Sequence, residues 1–386
     1  MSFPNLRELD CQQNELVTLK GIRACPQLQV LNCRNNRIRS LKALALCPQL
    51  RVLDCSMNKL TSLKRIGCFR FLHTLNCSSN NLGTLIGIES CSMLRVLYCR
   101  SNRLTSLARL CDCIQLNTLD CSWNELTNLF EIGSSTYLRI LICSNNDLET
   151  LELSPPHGPK QPVIYNIRQS RLSELDCSHN RLISLSGFGS CSTLRKIRCC
   201  FNKITAIDDI SWHARLEELY CSNNRIDELD FSGSYDSLQV LDCSFNRMYD
   251  CQLEYCRSLR ILDCSNNELP ELDSIRNCVC IDVLCCQHNM ISSLIGIEAC
   301  PKLDTLWCND NRLESLLHVD SCQELRDLDC SSNRLKALDE IVNLPGLDNI
   351  CFEGNPLAPL PVHEALWSAS GLPRATYKAL KKIGVV

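Results

Sequence analysis

An asparagine returns along this chain at a nearly fixed interval, and the interval constrains the fold more than any other feature. It stands at Asn14, Asn36, Asn58, Asn80, Asn102, Asn124, Asn146, Asn180, Asn202, Asn224, Asn246, Asn267, Asn289, Asn311, Asn333 and Asn355. Thirteen of the fifteen steps are 22 residues, one is 34 and one is 21. Sixteen repeats of this length cover most of the 386 residues. A period of this kind builds a solenoid, in which each unit buries its apolar face only against its neighbours.

The stretch Leu50 to Leu63, LRVLDCSMNKLTSL, shows what each repeat contains. Leu53 and Cys55 are two residues apart, the period of a strand with one face buried, so Val52 and Asp54 face outward. Asn58 then falls at a bend, where its side chain can bond the backbone groups that the turn leaves free. Apolar residues follow two, five and eight positions later, at Leu60, Leu63 and Ile66. Spacing by threes predicts a short 3₁₀ turn on the return path and leaves no room for a long helix. Each repeat buries about six side chains, at roughly 1.5–3 kcal/mol apiece.

Forty basic and 43 acidic residues give a formal charge of -3. That argues against nucleic acid or a membrane surface as a chain-wide partner, since both call for a basic excess. No apolar run approaches the roughly 20 residues of a membrane span. The opening MSFPNLRELDC runs straight into the first repeat, without the regions of a signal peptide.

Cysteine is abundant, at 31 residues, and follows the period. Fifteen of the sixteen repeats carry it three positions before the asparagine, from Cys11 to Cys330, with Phe352 in the last. A second column lies eleven positions after it: Cys25, Cys47, Cys91, Cys113, Cys191, Cys278, Cys300 and Cys322, joined by Cys256 in the shortened repeat. Free cysteine behaves as a small buried hydrophobe, and thiols stacked along parallel strands are poorly placed for the disulfide torsion. The expectation is a reduced, intracellular protein, cytoplasmic or nuclear.

The L-x-x-L-x-C-S-x-N-x-L-x-x-L pattern resembles the leucine-rich-repeat family. The 22-residue form is similar to internalins and to cytosolic phosphatase-regulatory repeat proteins, and the Cys-Ser variant, as in LDCSNNEL from Leu262 to Leu269, to repeats of some bacteria and large DNA viruses. The resemblance implies an α/β-class solenoid, a right-handed arc with a parallel sheet on its concave face, and a protein-binding role. The array is expected over residues 1–360, with a Pro-rich loop inserted at about 153–164 and a short helical cap over 361–386. The 21-residue repeat reads as a tighter return turn.

No phosphate-binding, hydrolase or metalloprotease motif occurs. The expectation is a non-catalytic scaffold without a cofactor or metal, holding one or more proteins by the outward residues of its strands. The central outward row runs from Asp10 to Cys351 and is mainly acidic, broken by three groups. One is Tyr98 and Ile142 with nearby Trp123; another is Arg198 and Tyr220 with Phe201 and Phe245; the third is Cys285, His288 and Trp307. Exposed aromatics beside arginine are the material of binding hot spots. Arg7, Arg51, Arg95, Arg139, Arg195, Arg260 and Arg326, three positions before the row, are expected to neutralise its aspartates.

Two other readings compete. One is self-association through a thinly capped N-terminal edge, giving a homo-oligomer. The other is metal or redox chemistry at the thiols, with Cys285, His288 and Cys351 as the candidate metal set; Asp263, Cys285 and His288 are the single hint of catalysis, as a nucleophile and base.

Overall fold

The computed structural model describes residues 3–133, 135–153, 171–187, 191–207, 214–231 and 235–357. The expected insertion, but for Leu153, and the expected cap lie outside these residues. The chain divides into two compact units, Met1–Asn202 and Lys203–Val386.

In the first unit nine three-residue strands follow one another: Glu8–Asp10, Val30–Asn32, Val52–Asp54, Thr74–Asn76, Val96–Tyr98, Thr118–Asp120, Ile140–Ile142, Glu174–Asp176 and Lys196–Arg198. Each pairs in parallel with the next in chain order, the register joining Leu31 to Leu53 and Leu53 to Leu75. The second unit repeats the scheme in Glu218–Tyr220, Val240–Asp242, Ile261–Asp263, Val283–Cys285, Thr305–Trp307, Asp327–Asp329 and Asn349–Cys351. Among the described residues the return path is made of short 3₁₀ turns such as Ile66–Cys68 and Ile297–Ala299. The spacing by threes anticipates them: Leu60, Leu63, Ile66, Phe69 and Leu72 are all buried, and a three-residue turn brings such residues onto one side.

The asparagines form a ladder. Asn58 donates from Nδ2 to the Cys55 and Ser56 carbonyls of its own coil and to the Cys33 carbonyl of the coil before, at 2.9–3.1 Å. Its Oδ1 accepts the Ile38 N–H at 2.9 Å. One amide thereby answers four backbone groups that a sharp buried bend would otherwise orphan.

Both cysteine columns are core. All 31 cysteines are free, and only Cys68, Cys111 and Cys351 are exposed. In the strand column the thiol reaches the carbonyl of the next strand, as in Cys55 to Asn76 at 3.4 Å. In the return column it reaches the preceding coil, as in Cys113 to Ile88 at 3.6 Å. Leucine would fill the same space without this weak donor.

The 21-residue repeat is more than a tighter turn. Glu228–Asp230 and Asp250–Gln252 pair in parallel as a second, two-stranded sheet, with Leu229 opposite Cys251. Leu229 and Phe231 are buried, as are Cys251 and Leu253, so period-two burial replaces the period of three. Tyr235 packs edge-on against Phe231, ring centres 4.9 Å apart.

Candidate functional site

The outward residues of the strands are held by the turn that follows them. Asp54 Oδ1 accepts the Ser56 N–H at 2.9 Å and the Ser56 hydroxyl at 2.6 Å. Asp120, Asp242, Asp263 and Asp329 do the same with Ser122, Ser244, Ser265 and Ser331. The acidic row is therefore a set of turn-closing acceptors. No ion pair forms between these aspartates and the arginines three positions upstream among the described residues. Three residues along a strand is about 10 Å, beyond direct pairing. Arg260 bonds Asp282 instead, Nε to Oδ2 at 2.8 Å, and Arg326 pairs with Asp304 at 3.4 Å.

Immediately before each ladder asparagine the backbone turns left-handed, and fifteen of these residues are not glycine. Their φ values run from 52° at Ser332 to 57° at Asn223. Gly354 takes the place in the last repeat, at 75°. Most of the fifteen are small or polar, including Asn35, Ser79, Asn145, Asn223 and Asn266, but Trp123, Phe201 and Phe245 sit there too. Bulky residues are genuine outliers in this region, which asparagine and glycine tolerate far better. Trp123, Phe201 and Phe245 are 54%, 49% and 53% exposed, so the core does not account for them.

In the first unit Tyr98 and Ile142 both stand opposite Asp120 in strand register, one on each side. Trp123 follows Asp120 by three residues, so these three belong to adjacent coils. Phe201 stacks on His179 at 4.3 Å with the rings 8° from parallel. The sequence reading passed over His179; its signal was the same left-handed position, one coil earlier. Arg198 ends the strand Lys196–Arg198, half-buried. In the second unit Tyr220 is half-buried and donates to Glu218 Oε2 at 2.9 Å. Phe245 and Trp307 are exposed.

The fold built from this coil-by-coil register is shared with known proteins. The family described as Leucine Rich repeats (2 copies) matches residues 4–46. A leucine-rich-repeat protein of Leptospira interrogans is similar over 96% of this chain and 92% of its own, at 25% identity and a TM-score of 0.75. The functional domain of InlJ from Listeria monocytogenes, described as including a cysteine ladder, is similar over 89% of this chain and 72% of its own, at 26% identity and a TM-score of 0.62. The chain has the leucine-rich-repeat fold. YopM from Yersinia enterocolitica shares the fold, at 23% identity over 94% of this chain and 75% of its own, with a TM-score of 0.64. No curated protein sequence matches the chain significantly. The leucine-rich-repeat fold is a general scaffold for protein–protein interaction, and its members are typically non-catalytic. No helix among the described residues is long and apolar enough to cross a membrane.

The group around Cys285 is not assembled for catalysis. The sequence reading took Cys285 as outward, but in this leucine-rich-repeat array it is only 7% exposed. Burial, then the charges of Asp263 and Asp242, push its thiol up to about 12, opposite to what a nucleophile needs. His288 lies with Nδ1 3.8 Å from Asp310 Oδ2 and makes no hydrogen bond to Cys285. Iodoacetamide at neutral pH is therefore expected to alkylate Cys351 well before Cys285, read by peptide mass mapping. Faster reaction at Cys285 would contradict its burial.

Proposed function

We propose that this leucine-rich-repeat protein is a non-catalytic scaffold that holds a protein partner on the outward face of its strands. That face is the concave one in the arc the sequence leads one to expect. The single observation that carries the reading is the placement of Trp123, Phe201 and Phe245. Local backbone energetics favour asparagine or glycine at these positions, and the core makes no use of the rings. A strained aromatic outside the core is a candidate for function, and large rings of this kind supply much of the energy at protein interfaces. Tyr98, Ile142 and Arg198 in the first unit, and Tyr220 and Trp307 in the second, are the accompanying candidates.

The test separates binding from folding. Replacing Trp123, Phe201 and Phe245 together by asparagine relieves the left-handed strain, so the melting temperature is expected to hold or rise. Affinity capture from the native source with wild type and variant is then compared by quantitative mass spectrometry. The expected result is a protein retained by wild type and depleted about tenfold or more in the variant, as for loss of hot-spot residues. Equal capture by a folded variant would move the binding site off these residues.

A further inference from the structure

The leading edge of the strands, the row just before each strand begins, differs in character between the two units. In the first unit the row reads Arg7, Gln29, Arg51, His73, Arg95, Asn117, Arg139, Ser173 and Arg195, an arginine on every second coil and no carboxylate. In the second unit it carries Glu217, Asp282, Asp304 and Asp348 beside Arg260 and Arg326, and both arginines are paired within the row. Arg51, Arg95 and Arg139 are exposed and form no salt bridge among the described residues. The strand positions that follow across this stretch, Val52, Thr74, Val96, Thr118 and Ile140, are uncharged. Glu8 and Glu174 bound it at the two ends.

The spacing of these arginine positions is fixed by the backbone. His73 N–H donates to the Arg51 carbonyl at 2.8 Å, Arg95 to His73 at 2.9 Å, Asn117 to Arg95 at 2.8 Å and Arg139 to Asn117 at 2.8 Å. Successive coils therefore stand about 4.8 Å apart, and arginines on alternate coils roughly 9.6 Å apart. Two residues ahead of this row, exposed Phe71, Met93 and Tyr137 add apolar surface. The Arg171 guanidinium lies 5.1 Å above the Tyr137 ring and brings one more cation to the same edge.

We propose that this edge binds an extended acidic polypeptide segment with a carboxylate at about every third residue. Three residues of polyproline II make one turn and rise about 9.3 Å, which returns each carboxylate to the same face at the two-coil arginine step, while the residues between them meet Phe71, Met93 and Tyr137. Three cations without an acid of their own among the described residues, Arg51, Arg95 and Arg139, are what charge complementarity to such a partner requires. The inference rests on the reading that the chain holds a protein, and names the chemistry of one segment of it.

The test uses the whole chain and fluorescein-labelled peptides about 12 residues long, which span roughly 37 Å as polyproline II. One peptide carries glutamate at every third position; another has the same composition with its glutamates clustered at one end. An oligo(dT) of similar length is the third probe. The expected results by fluorescence anisotropy are preference for the spaced peptide and affinity about tenfold weaker in an Arg51→Gln, Arg95→Gln, Arg139→Gln variant. An Arg260→Gln, Arg326→Gln variant should bind like wild type. Equal binding of the clustered peptide or of oligo(dT), no binding of the spaced peptide, or indifference to the first triple variant would each overturn the proposal. The two readings can fail apart. Capture of a protein that the arginine variant retains sinks the acidic edge alone, whereas peptide binding with no captured protein leaves the edge and removes the scaffold.

Discussion

Raising the pH of the fully reduced protein through about 10 is expected to unfold it cooperatively. The cause is the two cysteine columns. Burial, the leading influence at each, pushes Cys77, Cys91, Cys113, Cys278, Cys300, Cys322 and Cys330 of the columns, and Cys285 of the outward row, from an ordinary 9.0 up to about 12. Cys47 rises to about 11, and burial also raises Cys55, Cys99, Cys143, Cys264, Cys286 and Cys308 well above the ordinary value. The folded chain keeps these protons above pH 9 while the unfolded chain releases them. Stability is thus fully present below the ordinary thiol value and is lost as pH rises toward the folded one. Between about pH 9 and 10 each such thiol removes about 1 kcal/mol, so the eight at about 12 together remove on the order of 8 kcal/mol. That is comparable with the whole stability of an ordinary domain. Circular dichroism against pH in excess reductant measures it. A native spectrum at about pH 11 would mean that the columns are not buried thiols.

Replacing an interior ladder asparagine is expected to be the most damaging single change. Asn146 donates to the Cys121, Cys143 and Ser144 carbonyls at 3.0–3.3 Å, and its Oδ1 accepts the Leu126 N–H at 3.0 Å. Asn146→Ala strips partners from four backbone groups in a buried bend. Each unsatisfied group costs about 1–3 kcal/mol, so the total with partial relaxation is on the order of 4 kcal/mol. Asn14 provides the contrast. It donates only to the Cys11 and Gln12 carbonyls, and both bonds are exposed. Asn14→Ala is therefore expected to cost under about 1 kcal/mol. Urea midpoints of the two variants test the gradient; equal losses would show that the ladder does not act by satisfying buried backbone.

The sequence made the repeat, the strand, the ladder and the burial of both cysteine columns legible, because each depends on a short period that the solenoid repeats in thirteen of fifteen steps. Other features were hidden for physical reasons. The left-handed residue before each asparagine is a backbone property, and its identities range from Ser79 to Trp123. The aspartate row looks like a charged surface when Asp54 is read by itself; its bond to Ser56 exists only once the turn is closed. Cys285 was placed outward correctly by alternation, yet its burial depends on neighbouring coils. The second small sheet is hidden because a register of threes takes in Leu229 and Cys251 but not Phe231 and Leu253, whose burial marks the period of two. The contrast between the two leading edges requires knowing which arginines find acids. That pairing is written in Asp282 and Asp304, one coil away from Arg260 and Arg326.

The most direct test of the scaffold reading is a footprint on the captured complex, by hydrogen–deuterium exchange and carbene labelling of the chain with and without its bound protein. The account predicts protection of Trp123, Tyr98 and Phe245 and of the turns that carry them, while 3₁₀ segments such as Lys42–Leu46 and Asp339–Asn343 stay unprotected. Protection confined to those return turns, with Trp123 labelled equally in both states, would contradict it.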